Sequence, residues 1–334
     1  MPNWIGDLVM ATPVLVDLRA RFPKAVITAM CKAPLSELLK EESAIDELYS
    51  YTRPSNSFLR RKEKRDIVEK LRRGKYDLGI LLTNSFSSAW WFWQGRVKRR
   101  VGYRKGLRSL LLTDAVSFPN KKQHQVDLYK GLLEEIGIPH SKTMPRLVLT
   151  EKEIEESKEL LYRRGLQRGK KLVGINPGAS YGSAKCWPLE RYRELAKRLL
   201  KDPGLEVVFF GDSGTFSLVK EIVQGLSERV INLAGVTSLR ELACIIQEVD
   251  LLITNDSGPM HVGAALGTPL IALFGSTDEE RTGPYGQEEE VIRKKVACSP
   301  CFKRVCPIDF RCMKGISVDE VFVRAEKILR GARV

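Results

Sequence analysis

The sequence has no run approaching the roughly 20 consecutive apolar residues that a bilayer-spanning helix requires. Its first residues also lack the basic-then-apolar pattern of a secretory signal. A cytoplasmic location is expected. Seven cysteines form an odd set without a secretory context, which argues against a disulfide framework. Short-period repeats, low-complexity tracts and any Walker-type phosphate loop are missing too. Acidic residues are the scarce charge, with 41 Asp and Glu against 55 Lys and Arg.

The shortage of acid is local. Residues 1–150 hold 27 basic and 15 acidic residues, whereas residues 151–334 hold 28 and 26. Two stretches carry the excess: Arg53–Lys75 has ten basic and three acidic residues, and Arg96–Arg108 has seven basic and none acidic. A positive field confined to one half attracts a polyanion: nucleic acid, phospholipid or a phosphorylated glycan.

At 334 residues with 43% apolar content, the chain is long enough for two cores. Strand-like runs alternate with helix-period runs, the pattern of parallel sheets covered by helices. A helix is expected around Leu8, Ala11, Leu15 and Leu18, with strands at 25–30, 78–83 and 115–118. The tract 53–73 reads as a loop entering an exposed helix. Pro139, Pro145 and a polar stretch mark a boundary, dividing the chain into domains 1–150 and 151–334. Beyond it the spacing predicts helices at 151–164, 189–200 and 238–249, the last opened by the capping box Ser238–Glu241. Strands are expected at 172–176, 206–211, 251–254 and 270–274, with a helix starting near Pro259. Two doubly wound α/β halves satisfy this order, and such sheets bind ligands in the loops beyond the carboxyl ends of their strands.

Three of those loops carry chemistry. In Asn255-Asp256-Ser257-Gly258-Pro259-Met260-His261, Pro259 suits a first helical turn and places Ser257 or Gly258 at the cap. Free N–H groups there would seat a diphosphate, with His261 in reach; a helix cap with Asp256 bonded to its own loop explains the same residues. The second loop, 176–187, combines the small residues Gly178, Ala179 and Ser180 with Lys185, a mobile cation for phosphate oxygens or part of a flexible surface loop. In the third, Asp7 is either the N-cap of the first helix or a general base. Cys298, Cys301, Cys306 and Cys312 raise a metal site, although only the first pair has ligand spacing. Trp90, Trp91, Phe92 and Trp93 read as packing.

Together, Pro2-Asn3-Trp4-Ile5-Gly6-Asp7, Asn176-Pro177-Gly178 with Lys185-Cys186-Trp187-Pro188, and Asn255–His261 resemble the bacterial ADP-heptose:lipopolysaccharide heptosyltransferases of glycosyltransferase family 9, nearest to the heptosyltransferase II branch. Thr83-Asn84-Ser85-Phe86, Gly102-Tyr103-Arg104 and Ser299–Arg304 extend the resemblance over the whole chain. It implies a GT-B fold: two Rossmann-like domains facing across a cleft, the first for a lipid A-core acceptor and the second for ADP-heptose. It further implies inverting, metal-independent transfer of heptose to the inner core, onto a first heptose, with no cofactor. By the same resemblance Asp7 matches the catalytic aspartate, Lys185 the donor-phosphate lysine, and Ser180, Asp256, Ser257, Gly258 and His261 the donor-binding set. Arg60, Arg61, Lys64 and Arg104 are expected to meet the acidic core, at the inner face of the inner membrane. Members of the family usually carry a short apolar strand ahead of the motif at Pro2–Asp7, where Met1 stands here; without it the N-terminal sheet would lose a central member. The competing class is a basic nucleic-acid-binding protein, which the overall charge supports but which leaves both donor-side loops unexplained.

Overall fold

The computed structural model describes residues 1–52, 54 and 56–331; Arg53, which opens the first basic stretch, Ser55 and residues 332–334 lie outside the described residues. The chain divides into two compact units, Met1–Arg146 and Leu147–Val334.

The first unit runs α1 (Ile5–Met10), α2 (Thr12–Arg21), β1 (Thr28–Lys32), β2 (Glu47–Tyr51), α3 (Ser57–Gly74), β3 (Leu78–Leu81), α4 (Phe86–Gln94), β4 (Arg99–Tyr103), β5 (Asp114–Val116) and α5 (Gln125–Glu134). The single helix expected around 8–18 is two. Pro13 falls in the first turn of α2, where its missing N–H costs nothing, and its ring prevents α1 from continuing through it. All strand pairs are parallel, yet they form two separate sheets, β1–β2 and β3–β4–β5. Along the edge of β1 away from β2, the Met1 amino group donates to the Met30 carbonyl at 2.7 Å. β2 and β4 were not read from the sequence: Glu47–Tyr51 and Arg99–Tyr103 carry too many polar and charged residues to show a buried-strand pattern. The segment leading out of this unit is held to it by polar contacts. Ser141 and Thr143 hydroxyls each donate to Asp17 at 2.6 Å, and Arg146 pairs with buried Glu42 at 2.5 Å.

The second unit runs α6 (Glu151–Arg163), β6 (Lys171–Asn176), α7 (Leu189–Leu199), β7 (Leu205–Phe209), α8 (Phe216–Val223), β8 (Val230–Asn232), α9 (Leu239–Glu248), β9 (Leu251–Asn255), α10 (Gly258–Leu266), β10 (Leu270–Phe274), α11 (Glu279–Thr282), β11 (Val291–Arg293), α12 (Arg311–Lys314) and α13 (Val318–Leu329). Its six parallel strands lie in the order β8-β7-β6-β9-β10-β11, so the chain starts in the middle, builds outward one way, then returns and builds the other way. This is the doubly wound order, and its switch point falls between β6 and β9. β7, β9 and β10 are buried along their whole length, as strands covered by helices on both faces must be. Both α6 and α9 open with complete capping boxes, Thr150–Glu153 and Ser238–Glu241.

Candidate functional site

At the switch point the sheet ends in two asparagines. Asn176 closes β6 and its Nδ2 donates to the Gly178 carbonyl at 3.1 Å, to Thr254 Oγ1 at 3.2 Å and to Ser257 Oγ at 2.9 Å. Asn255 closes β9. Its Oδ1 accepts from the Tyr192 hydroxyl at 2.7 Å and from the Trp187 backbone N–H at 3.2 Å, while its Nδ2 donates to the Pro177 carbonyl at 2.7 Å. Buried amides bonded in this way fix the two loops that follow the strands relative to one another. Trp187 and Tyr192 complete the floor, edge to face with ring centroids 5.0 Å apart.

Above this floor Lys185 Nζ lies 2.5 Å from Asp256 Oδ2. The lysine is therefore docked rather than mobile. Asp256 is 3% exposed and also accepts from the Thr277 hydroxyl, so its carboxylate faces the lysine and the β10 loop instead of capping its own helix. Ser257 occupies the N-cap of α10 in extended conformation and makes no side-chain cap bond, and Pro259 stands in the first turn. The first N–H groups of such a helix have no intrahelical acceptor, and its dipole favours an anion in front of them. His261 is buried one turn into α10. Ser180, on the exposed part of the β6 loop, donates to Asp212 at 3.3 Å, turned toward the β7 loop.

A strap formed by residues 299–306 lies against the same loops. Ser299 donates to the Gly275 carbonyl, and the Cys301 and Phe302 N–H groups donate to Ser276 O at 3.0 and 2.8 Å. On its other side Ala184 N–H donates to Arg304 O at 2.9 Å and the Tyr181 hydroxyl to Phe302 O at 2.8 Å. Tyr181 is flanked by two cations: Lys185 Nζ is 4.9 Å from its ring centroid and Arg304 Cζ is 5.3 Å away. Nothing in the spacing of the sequence signalled Arg304 or Tyr181, because their proximity depends on the strap.

In the first unit Asp7 is not the N-cap of α1. Trp4 holds that position without a side-chain bond, and Asp7 sits in the first helical turn. Its carboxylate accepts from the Tyr129 hydroxyl at 3.0 Å. Burial, reinforced by the negative charge of Asp7, pushes the Tyr129 phenol well above its usual range, so it remains a donor at any physiological pH.

The basic stretches divide in a way charge counting cannot show. Arg60, Arg61 and Lys64 are exposed on α3, Arg60 with its Nε also donating to Pro54 O at 3.2 Å. The 96–108 stretch is largely structural instead. Arg99 pairs with Asp114 at 2.8 Å, Arg100 donates to the Leu111 and Val97 carbonyls, and Arg104 Nε donates to Ala115 O at 2.6 Å. Arg108 is 1% exposed, with Nη1 bonded to Asn84 Oδ1 and Tyr103 O. These bonds fix the direction of the guanidiniums, and of the four only Arg108 is withdrawn from the surface.

The cysteines and the aromatic run were the other two features singled out in the sequence. Among the described residues no group of three or more His, Cys, Asp or Glu side chains is arranged to hold a metal ion. All seven thiols are free. In the aromatic run, Trp91 is buried but Trp90 and Trp93 are 37% and 46% exposed, because one helix cannot turn four consecutive rings inward.

A doubly wound unit with a lysine, a helix N-terminus and a fixed pair of loops at its switch point is of the class that binds nucleotide-linked ligands. The chain matches Glycosyltransferase family 9 (heptosyltransferase) over residues 64–310. It belongs to that family and is a glycosyltransferase of GT-B fold. The Salmonella typhimurium lipopolysaccharide heptosyltransferase 2 is 33% identical over 87% of this chain and 86% of its own length. The Campylobacter jejuni lipooligosaccharide heptosyltransferase 2 is 29% identical over 100% and 98%. The structure of the Escherichia coli ADP-heptose lipopolysaccharide heptosyltransferase II superposes with a TM-score of 0.84, at 29% identity, covering 99% of this chain and 97% of that one.

Proposed function

We propose that this enzyme moves heptose from ADP-heptose to the inner core of lipopolysaccharide, placing a second heptose on the first, with inversion at the anomeric carbon. The observation that carries the reading is the Lys185–Asp256 pair set before the N-terminus of α10 at the switch point. The relatives named heptosyltransferase 2 supply the sugar and the acceptor. In this reading residues 151–334 bind the donor and residues 1–150 the acceptor. Ser180, Lys185, Asp256, Ser257, Gly258 and His261 form the donor set. As ADP departs, its growing negative charge is met by Lys185, the Ser180 and Ser257 hydroxyls and the amides at the start of α10, and not by a metal ion.

Asp7 is the general base. It takes the proton of the acceptor hydroxyl as that oxygen attacks the anomeric carbon from the face opposite ADP, and Tyr129 holds the carboxylate in place by its hydrogen bond. Arg60, Arg61, Lys64 and Arg104 bind acidic sugars and phosphates of the core. The enzyme works at the inner face of the inner membrane. The direct test is transfer from ADP-heptose to a core acceptor truncated after its first heptose, with product linkage read by NMR. Formation of the second-heptose product supports the assignment; transfer only to another sugar, or from another nucleotide sugar, overturns it.

A further inference from the structure

Apart from Arg60, Arg61 and Lys64, assigned above to the acceptor, helices α3 and α4 carry a surface that the proposed reaction does not use. On α4, Phe86, Trp90 and Trp93 recur at i, i+4 and i+7 and so stand on one strip of the helix. They are 50%, 37% and 46% exposed. The rings support one another: Phe86 stacks on Trp90 with centroids 6.0 Å apart, and Trp90 lies 5.0 Å from Trp93. Beside them runs a groove of about 630 Å³, lined on its far wall by Lys64, Arg65 and Arg72 of α3. Glu69 also lines it, but its carboxylate is tied to Arg73. α3 as a whole carries eight basic and three acidic residues. Near its start Phe58 is 73% exposed and, by helical spacing, stands on the same side as Arg61, Arg65 and Arg72.

A water-soluble surface rarely leaves three indole and phenyl rings side by side without a partner. Trp at a cationic helical face is the composition that settles at the boundary between lipid headgroups and acyl chains: the rings enter the boundary, and the Lys and Arg side chains meet acidic headgroups. We infer that the α3–α4 face docks this protein on the surface of an anionic phospholipid bilayer, with Phe86, Trp90 and Trp93 entering the headgroup region and Arg65 and Arg72 holding lipid phosphates. The charge complementarity selects an acidic bilayer over a neutral one. The inference rests on the proposed lipid-borne acceptor only for its purpose; docking itself is measured without acceptor.

The test is cosedimentation of the full chain with vesicles of phosphatidylglycerol and phosphatidylethanolamine, against phosphatidylcholine vesicles, combined with quenching of tryptophan fluorescence by brominated acyl chains. Binding is expected to the acidic vesicles alone, to weaken as salt is raised, and to bring quenching. The double variant Trp90→Ser/Trp93→Ser lowers the partition constant about tenfold and loses most of the quenching. Arg65→Glu lowers it about tenfold with quenching per bound molecule unchanged. The tryptophan variant keeps wild-type transfer to a lipid-free core oligosaccharide, which shows that it is folded and separates loss of docking from failure of the proposed reaction. Equal binding to acidic and neutral vesicles, or wild-type partition by both variants, overturns the inference. So does quenching by an oligonucleotide or by the core oligosaccharide in the absence of vesicle binding.

Discussion

Lys185 Nζ and Asp256 Oδ2 stand 2.5 Å apart, joining the loop after β6 to the loop after β9 across the switch point of the second sheet. With Asp256 3% exposed, the pair is as much a structural tie as a binding device. Lys185→Ala leaves a buried carboxylate without its cation, at a cost on the order of 3 kcal/mol. Thermal denaturation should show that loss, and Lys185→Met/Asp256→Asn should recover most of it. The double variant should still bind ADP at least tenfold more weakly than wild type by calorimetry. Full recovery of both stability and ADP affinity would remove Lys185 from the donor site.

Asp7→Asn is expected to lower kcat by about a thousandfold while leaving the ADP dissociation constant unchanged, as loss of a general base does. A variant that turns over within tenfold of wild type would show that another group takes the proton.

Tyr129→Phe removes a hydroxyl that donates to Asp7 at 3.0 Å. A positioning role predicts a drop in kcat of about tenfold with KM for ADP-heptose unaltered. A rise in KM alongside the fall in kcat, or an unfolded protein by circular dichroism, would assign Tyr129 to substrate binding or to the core instead.

Gly182 has φ +155°, and a Cβ there would lie 2.3 Å from the Arg304 carbonyl oxygen. The Gly182→Ala side chain must push the 299–306 strap off the β6 loop. Weakened ADP binding by at least fivefold and faster proteolysis at residues 300–306 are expected; unchanged affinity would show that the strap does not shape the donor site. That contact is between two backbones, so no rotamer change relieves it.

Acid sensitivity of the second unit should include Glu153. Hydrogen bonds from the Arg240 guanidinium, with further bonds from Thr150, pull its carboxyl from 4.5 to about 2. A depressed carboxylate adds stability that is complete above its unfolded pKa and lost as pH falls through the folded value, so the contribution disappears between about pH 4.5 and 2. Arg240→Leu should raise the Glu153 titration midpoint, followed by carboxyl NMR, and move acid unfolding of this unit to higher pH. An unmoved Glu153 titration would refute the coupling.

Much of the second unit was legible in the sequence because β6, β7, β9 and β10 are short apolar runs and α9 opens with a capping box, signals that depend on neighbours within a few residues. The strands read at 172–176, 251–254 and 270–274 match those formed to within a residue at either end. The loops that hold Lys185 and Ser257 were found for the same reason: the strand-to-helix rule needs only local order. Where the reading failed, the deciding neighbour lay far away in the chain. Lys185 reads as mobile until Asp256, 71 residues on, is placed against it.

What the sequence alone determined, then, is the alternation of elements, the excess of positive charge before residue 150 and the positions of the strand-to-helix loops that carry Lys185 and Ser257. Only the tertiary structure decided which charges are available. It spent Arg99, Arg100 and Arg108 on an acid and on carbonyls within the first unit, docked Lys185 on a buried acid, and left Trp90 and Trp93 outside while burying Trp91. The physical reason is the same in each case. A side chain's free charge or free surface is what remains after its contacts are counted, and those contacts join residues that the sequence keeps apart.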